Sequence, residues 1–120
     1  MNHIQTGRYG EDVVRQFLQV NGHEILKTNY RFRRGEIDLV TLHRNELIFV
    51  EVKTRRSNQR GSAALSVHQK KQRQLIAAAN AYIREHGRIE DARFDVVLLS
   101  YENRSPGIEH IQHAFYPSLR

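Results

Sequence analysis

Two apolar stripes at helical spacing stand out along the chain. The first lies in residues 5–20, where Glu11 falls near the edge of the stripe and not opposite it. The second lies in residues 66–86, where Ser66 and Gln69 form a Ser-x-x-Gln capping box at the helix start. The stripes consist of Val13, Val14, Phe17 and Leu18, and of Leu75, Ile76, Ala79, Tyr82 and Ile83. The pattern therefore predicts two helices, each with one buried face.

Other runs have the composition of strands. They are residues 24–33, 35–42, 47–53, 93–101 and 108–115. The second and third runs flank a short polar break, residues 43–46, which predicts a β-hairpin. Alternation along the first hairpin strand places Ile37 and Leu39 on one face. The order of helix, three strands, helix and one or two strands predicts a mixed α/β fold, with helices packed on a sheet.

Charged residues share one face of each hairpin strand, because side chains alternate between the two faces. Asp38 lies on the same face as Glu36 in the first strand. In the second strand, Glu51 lies on the same face as Lys53. If residues 44–45 form a two-residue turn, the register places Asp38 opposite Glu51. The same register places Glu36 opposite Lys53. Directly opposed Cβ atoms are about 4.5–5.5 Å apart, so the pattern predicts two neighbouring carboxylates.

Two adjacent carboxylates repel and raise each other's pKa, so a fold needs compensation for them. A divalent cation compensates well, and Mg²⁺ commonly binds one or two carboxylates together with water and phosphate. Lys53 adds a positive charge that suits charge developing on a phosphate, and Glu11 adds a carboxylate if its helix packs over this face. The alternative is a half-buried ion pair between Glu51 and Lys53, with Asp38 partly solvated. We favour the metal site, with Mg²⁺ or Mn²⁺ as the cofactor.

The same residues carry a resemblance to known proteins. Asp38 followed by Glu51-Val52-Lys53 resembles the PD-(D/E)xK signature of restriction-endonuclease-like nucleases. More of the chain is similar to the YraN-type family of uncharacterised bacterial proteins. The matching segments are TGRYGED near the start, GEIDLV (35–40), FVEVKTR (49–55), SVHQKK in the second helix, RFDVV (93–97) and HIQHAF (110–115). The resemblance implies a restriction-endonuclease-like fold, with a central mixed β-sheet of four to five strands flanked by helices, similar to archaeal Holliday-junction resolvases.

Functional residues follow from this resemblance, position by position. It implies that Asp38 and Glu51 are metal ligands and that Lys53 is the catalytic lysine. Glu11 matches the glutamate of the first helix, which belongs to the catalytic set. In the nuclease hypothesis the Val52 carbonyl is a further metal ligand. The metal would polarise the phosphate and lower the pKa of the attacking water.

Other polar residues are expected around this centre. By the resemblance, Gln69 and Lys71 fall where nuclease helices place polar side chains that face the site. Gln69 and Glu36 are candidates to support the metal ligands. One departure is Ile37, which stands where the signature often has proline. The likeness to resolvases also suggests a homodimer, by fold-level analogy alone.

Composition adds a preference for polyanionic partners. The 120 residues contain 19 lysines and arginines against 13 acidic residues, which gives a net charge of +6. Basic residues flank the proposed centre in three groups. These are Arg31, Arg33 and Arg34, then Arg55, Arg56 and Arg60, then Lys70, Lys71 and Arg73. Such a rim suits contacts to a nucleic-acid backbone, which position the partner without reading its base sequence.

Length and residue usage exclude several classes of protein. The length predicts a single domain over residues 1–120, and the resemblance implies that this domain is endonuclease-like. The chain has no cysteine, which excludes disulfides, thiolate zinc sites and a cysteine nucleophile, and suits a reducing compartment. No apolar stretch approaches the ~18 residues of a membrane span, and the polar start lacks a signal-peptide core. We therefore expect a cytoplasmic protein with no membrane partner.

A few other residues carry chemistry without favouring a second site. His110 and His113 are not expected to bind zinc, because no cysteine accompanies them. Asp95 stands before an apolar strand and is expected to be structural. Three aromatic residues are candidates for stacking on bases, although core packing is favoured: Tyr30, Phe32 and Phe94.

Three functions are compatible with these features. The favoured one is a metal-dependent nuclease that hydrolyses phosphodiester bonds in DNA, including branched or damaged DNA. The second is a nucleic-acid-binding adaptor that keeps the nuclease fold without turnover. The third is a protein-interaction domain whose basic surface meets an acidic partner. Cleavage assays with acid and lysine variants separate the first from the second, and nucleic-acid binding at low salt tests the third.

Overall fold

The computed structural model describes residues 3–55, 69–102 and 105–116. These ranges contain two helices, α1 (His3–Val20) and α2 (Gln69–His86). They also contain the strands β1 (Glu24–Phe32), β2 (Gly35–His43), β3 (Glu46–Arg55), β4 (Asp91–Glu102) and β5 (Ser105–Phe115). The predicted order of elements is confirmed, whereas Ser66, the predicted cap of the second helix, lies outside the described residues. Neither described helix is long and apolar enough to cross a membrane.

The strands form one mixed sheet in the order β1-β2-β3-β4-β5. β2 is antiparallel to both β1 and β3, and β4 is antiparallel to β5. β3 and β4 are parallel, which requires a crossover connection, and α2 lies in that connection. The predicted α/β class is confirmed: a mixed sheet of five strands is flanked by two helices, which is compatible with a nuclease-like fold.

The hairpin between β2 and β3 has the predicted two-residue turn. Arg44 and Asn45 both have positive φ, at 49° and 64°. A type I′ turn needs positive φ at both positions, and its twist matches the twist of the flanking strands. The two strands pair in the predicted register from this turn as far as Leu39 and Val50. The hairpin therefore fixes which side chains of β2 and β3 face each helix.

Each face of the sheet packs against one helix. Under α2 lies a cluster made of Tyr30, Ile37, Val40, Leu47, Phe49, Phe94 and Phe115 with Leu75, Ala78, Ala79, Ala81 and Tyr82 of the helix. Under α1 lies a second cluster, made of Leu39, Ile48, Val50 and Val97 with Val14 and Leu18. The two clusters stabilise the sheet from both sides, because each removes apolar surface from water.

Ile37 does not share a face with Leu39, as strict alternation predicted. Ile37 belongs to the cluster under α2, and Leu39 belongs to the cluster under α1. The neighbouring strand β1 is irregular here, with a register shift between Ile25 and Lys27 and a positive φ of 52° at Asn29. Such irregularities bend a strand and re-aim its side chains. Asp38 lies between Ile37 and Leu39, where the pairing of β2 with β3 ends.

α1 ends in a turn that buries His23. Gly22 has a φ of 94°, a conformation that favours glycine. The Gly22 N–H donates to the Gln19 carbonyl at 3.0 Å, and the His23 N–H donates to the Leu18 carbonyl at 2.9 Å. These two hydrogen bonds form a Schellman motif, which satisfies carbonyl groups at the helix end. The chain then enters β1 with His23 beneath the helix end.

Candidate functional site

β2 and β3 separate at Asp38. The backbone pairing that starts at the hairpin turn ends at Leu39 and Val50, one residue short of Asp38. At Asp38 a side-chain hydrogen bond replaces the backbone pairing: the Val52 N–H donates to Asp38 Oδ2 at 2.8 Å. The two predicted pairs, Asp38 with Glu51 and Glu36 with Lys53, are therefore not part of the backbone ladder, because the ladder ends at Leu39 and Val50.

Asp38 and Glu51 line one cavity of about 250 Å³ beside α2. Its other lining residues are Arg34, Gly35, Glu36, Lys71, Gln74 and Leu75. α2 lies directly against the start of β2, since a Cβ on Gly35 would clash with the backbone carbonyl oxygen of Gln74. Glycine thus permits a close approach of helix and strand. The structure brings both predicted metal-binding carboxylates and the predicted Glu36 and Lys71 into this cavity.

The Asp38 carboxyl group has an unusually high affinity for its proton. Burial, followed by the nearby Glu51 carboxylate, raises the pKa of Asp38 from 3.8 to about 7. Glu11 and Glu36 raise this pKa further, and only the hydrogen bond from the Val52 N–H lowers it. Acidic neighbours thus outweigh the single donor. The negative charge of Asp38 is poorly compensated, which is the condition that a bound cation relieves.

Glu51 has a cationic partner on α2. Its side chain is 9% exposed, and its Oε1 lies 2.5 Å from Lys71 Nζ. The Lys71 side chain is 48% exposed, so it holds Glu51 from the solvent side. An ion pair with one exposed partner contributes little net stability, and another cation can compete for the carboxylate.

Lys53 follows Glu51 by two residues on β3. Burial and the nearby Lys71 ammonium lower the pKa of Lys53, and Glu51 opposes this by raising it. Lys53 therefore lies within electrostatic range of both members of the Glu51–Lys71 pair. Lys53 is therefore a second positive charge, in addition to Lys71, near the carboxylates.

Glu11 lies near the centre but lines a different cavity. That cavity, of about 210 Å³, is lined by Glu11, Asp12, Arg15, Thr28, Asn29 and Leu39. Glu11 Oε2 accepts a hydrogen bond from Asn29 Nδ2 at 3.3 Å. Glu11 still raises the pKa of Asp38, so the two carboxylates interact through the gap between α1 and β2. The structure does not place Glu11 in the cavity of Asp38 and Glu51.

The donor set at Asp38 suits a hard divalent cation with open positions. In an antiparallel pair, the N–H and C=O of one residue point towards the same neighbouring strand. Because the Val52 N–H points to Asp38, we expect the Val52 carbonyl to face β2 as well. Within the described ranges, no group of three or more His, Asp or Glu side chains is arranged to hold a metal. Two carboxylates and a carbonyl match Mg²⁺, which fills its other positions with water and phosphate.

The predicted basic residues differ in where the structure places them. Arg33, Arg34 and Lys70 are exposed beside the cavity, whereas Lys71 is paired with Glu51. The side chain of Arg55 and all of Arg56 lie outside the described residues.

Sequence reasoning missed one lining residue on α2. Gln69 is exposed and is not among the residues that line the cavity, whereas Gln74 lines it. Helical spacing was the available signal, because Gln74 lies three residues after Lys71 and shares its face.

A second charged cluster surrounds Asp95 on β4. Arg93 Nε and Nη2 donate to the two Asp95 oxygens, each at 2.9 Å, and His110 Nε2 lies 2.7 Å from Oδ2. The His113 N–H donates to Oδ1 at 3.2 Å, and Arg93 also binds Glu46 at 3.0 Å. These hydrogen bonds hold the pKa of Asp95 below its usual value, although burial alone would raise it. The arrangement agrees with the structural role predicted for Asp95.

Three histidine rings gather beside this cluster, which sequence reasoning did not anticipate. The rings of His23 and His43 stack with centroids 4.3 Å apart, and His110 lies 5.9 Å from His23. His23 Nδ1 also lies 2.9 Å from Thr41 Oγ1. Burial, followed by the nearby His43, lowers the pKa of His23 to about 4. The neutral ring therefore serves packing and one hydrogen bond.

Comparison with known proteins places this chain among uncharacterised bacterial proteins. Residues 10–99 match the model of the uncharacterised protein family UPF0102. A UPF0102 protein of Chlorobium chlorochromatii is 46% identical over 118 residues, which cover 93% of this chain and 92% of the relative. UPF0102 proteins of Flavobacterium psychrophilum and Phocaeicola vulgatus are 39% and 38% identical, over 95% and 98% of this chain and 96% and 97% of each relative. The similarity therefore spans nearly the whole chain.

Proposed function

The chain belongs to the uncharacterised protein family UPF0102, and we propose that it is a metal-dependent nuclease that hydrolyses phosphodiester bonds, with DNA as the favoured substrate. One observation carries this proposal. Asp38 and Glu51 share a cavity in which the Asp38 pKa is raised to about 7 by burial and by Glu51. A folded protein that crowds two carboxylates in this way gains stability from a divalent cation.

Asp38 and Glu51 would hold Mg²⁺ or Mn²⁺, together with the Val52 carbonyl. When bound, such a cation supplies a Lewis acid for the phosphate oxygen and for the attacking water. Lys53, beside Glu51, would orient that water or stabilise negative charge on the phosphate. Burial and Lys71 lower the pKa of Lys53, so its ammonium releases a proton more readily than that of an exposed lysine. Glu11 would contribute a further negative charge from α1.

Exposed cations beside the cavity would position the nucleic-acid backbone. Arg33, Arg34 and Lys70 lie next to the carboxylates and are not ion-paired with any described residue. Contacts of this kind bind phosphates, carry no base specificity and weaken as salt rises. The proposal therefore includes binding that depends on salt and not on base sequence.

Cleavage of labelled DNA tests the proposal. Duplex, single-stranded and branched DNA, with matching RNA, are incubated with Mg²⁺ or Mn²⁺ and with EDTA. Glu51→Gln and Lys53→Met should each reduce the rate by about 100-fold or more, which is the usual loss when a group that stabilises transition-state charge is removed. Glu24→Gln and Lys27→Met are matched controls, because both residues are exposed on β1. They should cleave at the wild-type rate.

A result of equal rates in all five proteins would reject this mechanism. Cleavage that persists in EDTA would reject the metal. Asp38→Asn gives a further check, because it removes one proposed ligand without changing side-chain size. It should abolish metal-dependent cleavage while leaving nucleic-acid binding in EDTA close to wild type.

A binding adaptor without turnover is the second candidate function. The observation in its favour is the Glu51–Lys71 ion pair, which already neutralises one of the two carboxylates. In this reading the same basic surface binds nucleic acid, and the carboxylates serve the fold. Salt-dependent binding with no cleavage under any divalent metal would favour the adaptor over the nuclease.

A further inference from the structure

A second cavity opens beside the carboxylate centre. It has a volume of about 450 Å³ and is lined by Phe32, Arg33, Arg34, Gly35, Lys70, Arg73, Gln74 and Ala77. Three of these residues, Arg34, Gly35 and Gln74, also line the cavity of Asp38 and Glu51. The two cavities are therefore adjacent along the groove between β2 and α2. The larger one has the size of sites that hold small organic groups, about 300–1,000 Å³.

The walls of this second cavity combine an aromatic ring with four cationic side chains. Phe32 is half-buried, and the Arg33 guanidinium lies 5.1 Å from the centre of its ring. Ala77 and the methylene stems of the basic side chains add apolar surface. Among the described residues, no carboxylate is ion-paired with Arg33, Arg34, Lys70 or Arg73, and no acidic residue lines the cavity. The described lining of the cavity thus combines apolar surface with positive charge.

We propose that this cavity binds an unpaired nucleotide, so that the neighbouring carboxylate centre acts on nucleic acid with single-stranded segments. The base would stack on Phe32 and the Arg33 guanidinium, and Lys70 and Arg73 would bind the flanking phosphates. This inference rests on the proposed nuclease function, because it names the substrate class of that site.

The chemistry of the cavity selects an unpaired nucleotide over a duplex. In a duplex both faces of each base are covered by the neighbouring bases, so an aromatic wall gains no contact. A single strand exposes its base faces, and aromatic side chains with flanking cations are the usual means of binding them. A phosphate alone would use the cationic side chains and leave the apolar wall exposed to water. The aromatic ring therefore fits the base, and the cationic side chains fit the phosphates of the backbone.

Fluorescence of 2-aminopurine tests this inference directly. The chain contains no tryptophan, so the protein adds little background. A short DNA strand with one 2-aminopurine is titrated with the full chain in EDTA at low salt, alone and annealed to its complement. Stacking should quench the probe in the single strand. The single strand should bind about tenfold more tightly than the duplex, as one stacked base contributes.

Four variants locate the effect. Ala77→Leu fills the cavity without changing charge on an exposed helix position, and should weaken single-strand binding about tenfold while leaving duplex binding within about twofold. Arg73→Gln should weaken both, whereas Arg84→Gln, an exposed residue farther along α2, removes the same charge and should weaken neither. Phe32→Leu should abolish the quenching.

An unchanged 2-aminopurine signal on binding would overturn the inference. Wild-type single-strand affinity in Ala77→Leu would also overturn it, and this variant does not disturb the core. Cleavage is not measured in this experiment, so the two proposals fail separately. Cleavage without Ala77-dependent binding would leave the nuclease without this substrate preference. Ala77-dependent binding in a protein that never cleaves would leave the nucleotide site on an adaptor.

Discussion

Two aspartates on neighbouring parts of the sheet differ in how the fold treats their charge. Asp95 is fully buried, yet its pKa is lowered, because Arg93 and His110 bind both carboxylate oxygens. Asp38 is less buried, yet burial, followed by the nearby Glu51 carboxylate, raises its pKa to about 7, and the hydrogen bond from the Val52 N–H opposes this. Burial acts on both carboxyl groups in the same direction, so burial alone does not separate them. The difference is compensation: Arg93 and His110 bind Asp95, whereas the charges that shift the Asp38 pKa are carboxylates.

The largest expected effect is on stability at Asp95. Asp95→Asn leaves the buried Arg93 with Glu46 as its remaining carboxylate, and losing one partner of a buried pair costs about 3–5 kcal/mol. Asp38→Asn should make the metal-free protein more stable at pH 7.5, by up to about 3 kcal/mol, since it removes a buried charge that neighbouring carboxylates repel. Urea unfolding at pH 7.5 in EDTA measures both. Asp91→Asn, an exposed residue on β4, is the control and should stay within about 0.5 kcal/mol of wild type. Equal losses at Asp38 and Asp95 would remove the distinction.

The pH dependence of stability should follow next in size. The folded protein holds the Asp38 proton up to about pH 7, whereas the unfolded chain releases it near the ordinary value of 3.8. Asp38 therefore lowers stability as the pH rises from about 4 to 7, by on the order of 3 kcal/mol. Asp95 has the opposite sign, because its pKa is lowered: its contribution is present above pH 3.8 and is lost as the pH falls further.

The difference between wild type and Asp38→Asn isolates this effect. His23, whose pKa is lowered to about 4, raises stability as the pH increases through the same window, so the wild-type curve alone mixes the two. Urea unfolding in EDTA at several values between pH 4 and 8 provides both curves. Asp38→Asn should gain stability relative to wild type as the pH rises. A constant difference across the window would contradict the raised pKa.

Gly35→Ala should affect the Asp38 region and spare the Asp95 cluster. The added methyl group meets the Gln74 carbonyl oxygen, so α2 must move away from β2. Overpacking of this kind costs about 1–3 kcal/mol, and the moved helix carries Lys71 away from Glu51. Gly107→Ala is the matched control, because its methyl group meets the Ser100 hydroxyl, which can rotate. Urea unfolding compares the two variants, and equal stability would show that the approach at Gly35 is not tight.

The smallest expected effect is on metal affinity. Lys71 is ion-paired with Glu51, so a metal would have to compete with Lys71 for this carboxylate. Lys71→Met should tighten Mn²⁺ binding by up to about fivefold, because a partly exposed ion pair contributes at most about 1 kcal/mol. Lys70→Met removes a neighbouring charge that is not paired with Glu51 and serves as the control. Calorimetric titration with Mn²⁺ measures both affinities. Weaker binding in Lys71→Met would mean that Lys71 supports the metal and does not compete with it.

Much of the hairpin could be predicted from local sequence, because its turn and its alternation are local properties. A two-residue turn at Arg44 and Asn45 was the assumption from which the register followed, and the structure has this turn and this register as far as Leu39 and Val50. Alternation failed at Ile37, beyond the point where the pairing of β2 with β3 ends and the Asp38 side chain binds the Val52 N–H instead.

The surroundings of the two aspartates could not be predicted in the same way. The helix residue Gln74 and the clustering of His23, His43 and His110 depend on how distant segments pack. The charge of Asp38 and of Asp95 can be read from the sequence, whereas partners that shift their pKa values in opposite directions lie on other strands, such as Glu51 on β3 and His110 on β5. The environment of each carboxyl group is therefore set by packing more than by motif.

A crystal of the full chain soaked in Mn²⁺ tests the central claim most directly, through the anomalous signal of the metal. We predict one peak between Asp38 and Glu51, with an oxygen of each within about 2.5 Å of the ion and Lys71 displaced from Glu51. The contradicting result is an absent peak at saturating Mn²⁺, with Glu51 still bound to Lys71 and Asp38 still bound to the Val52 N–H.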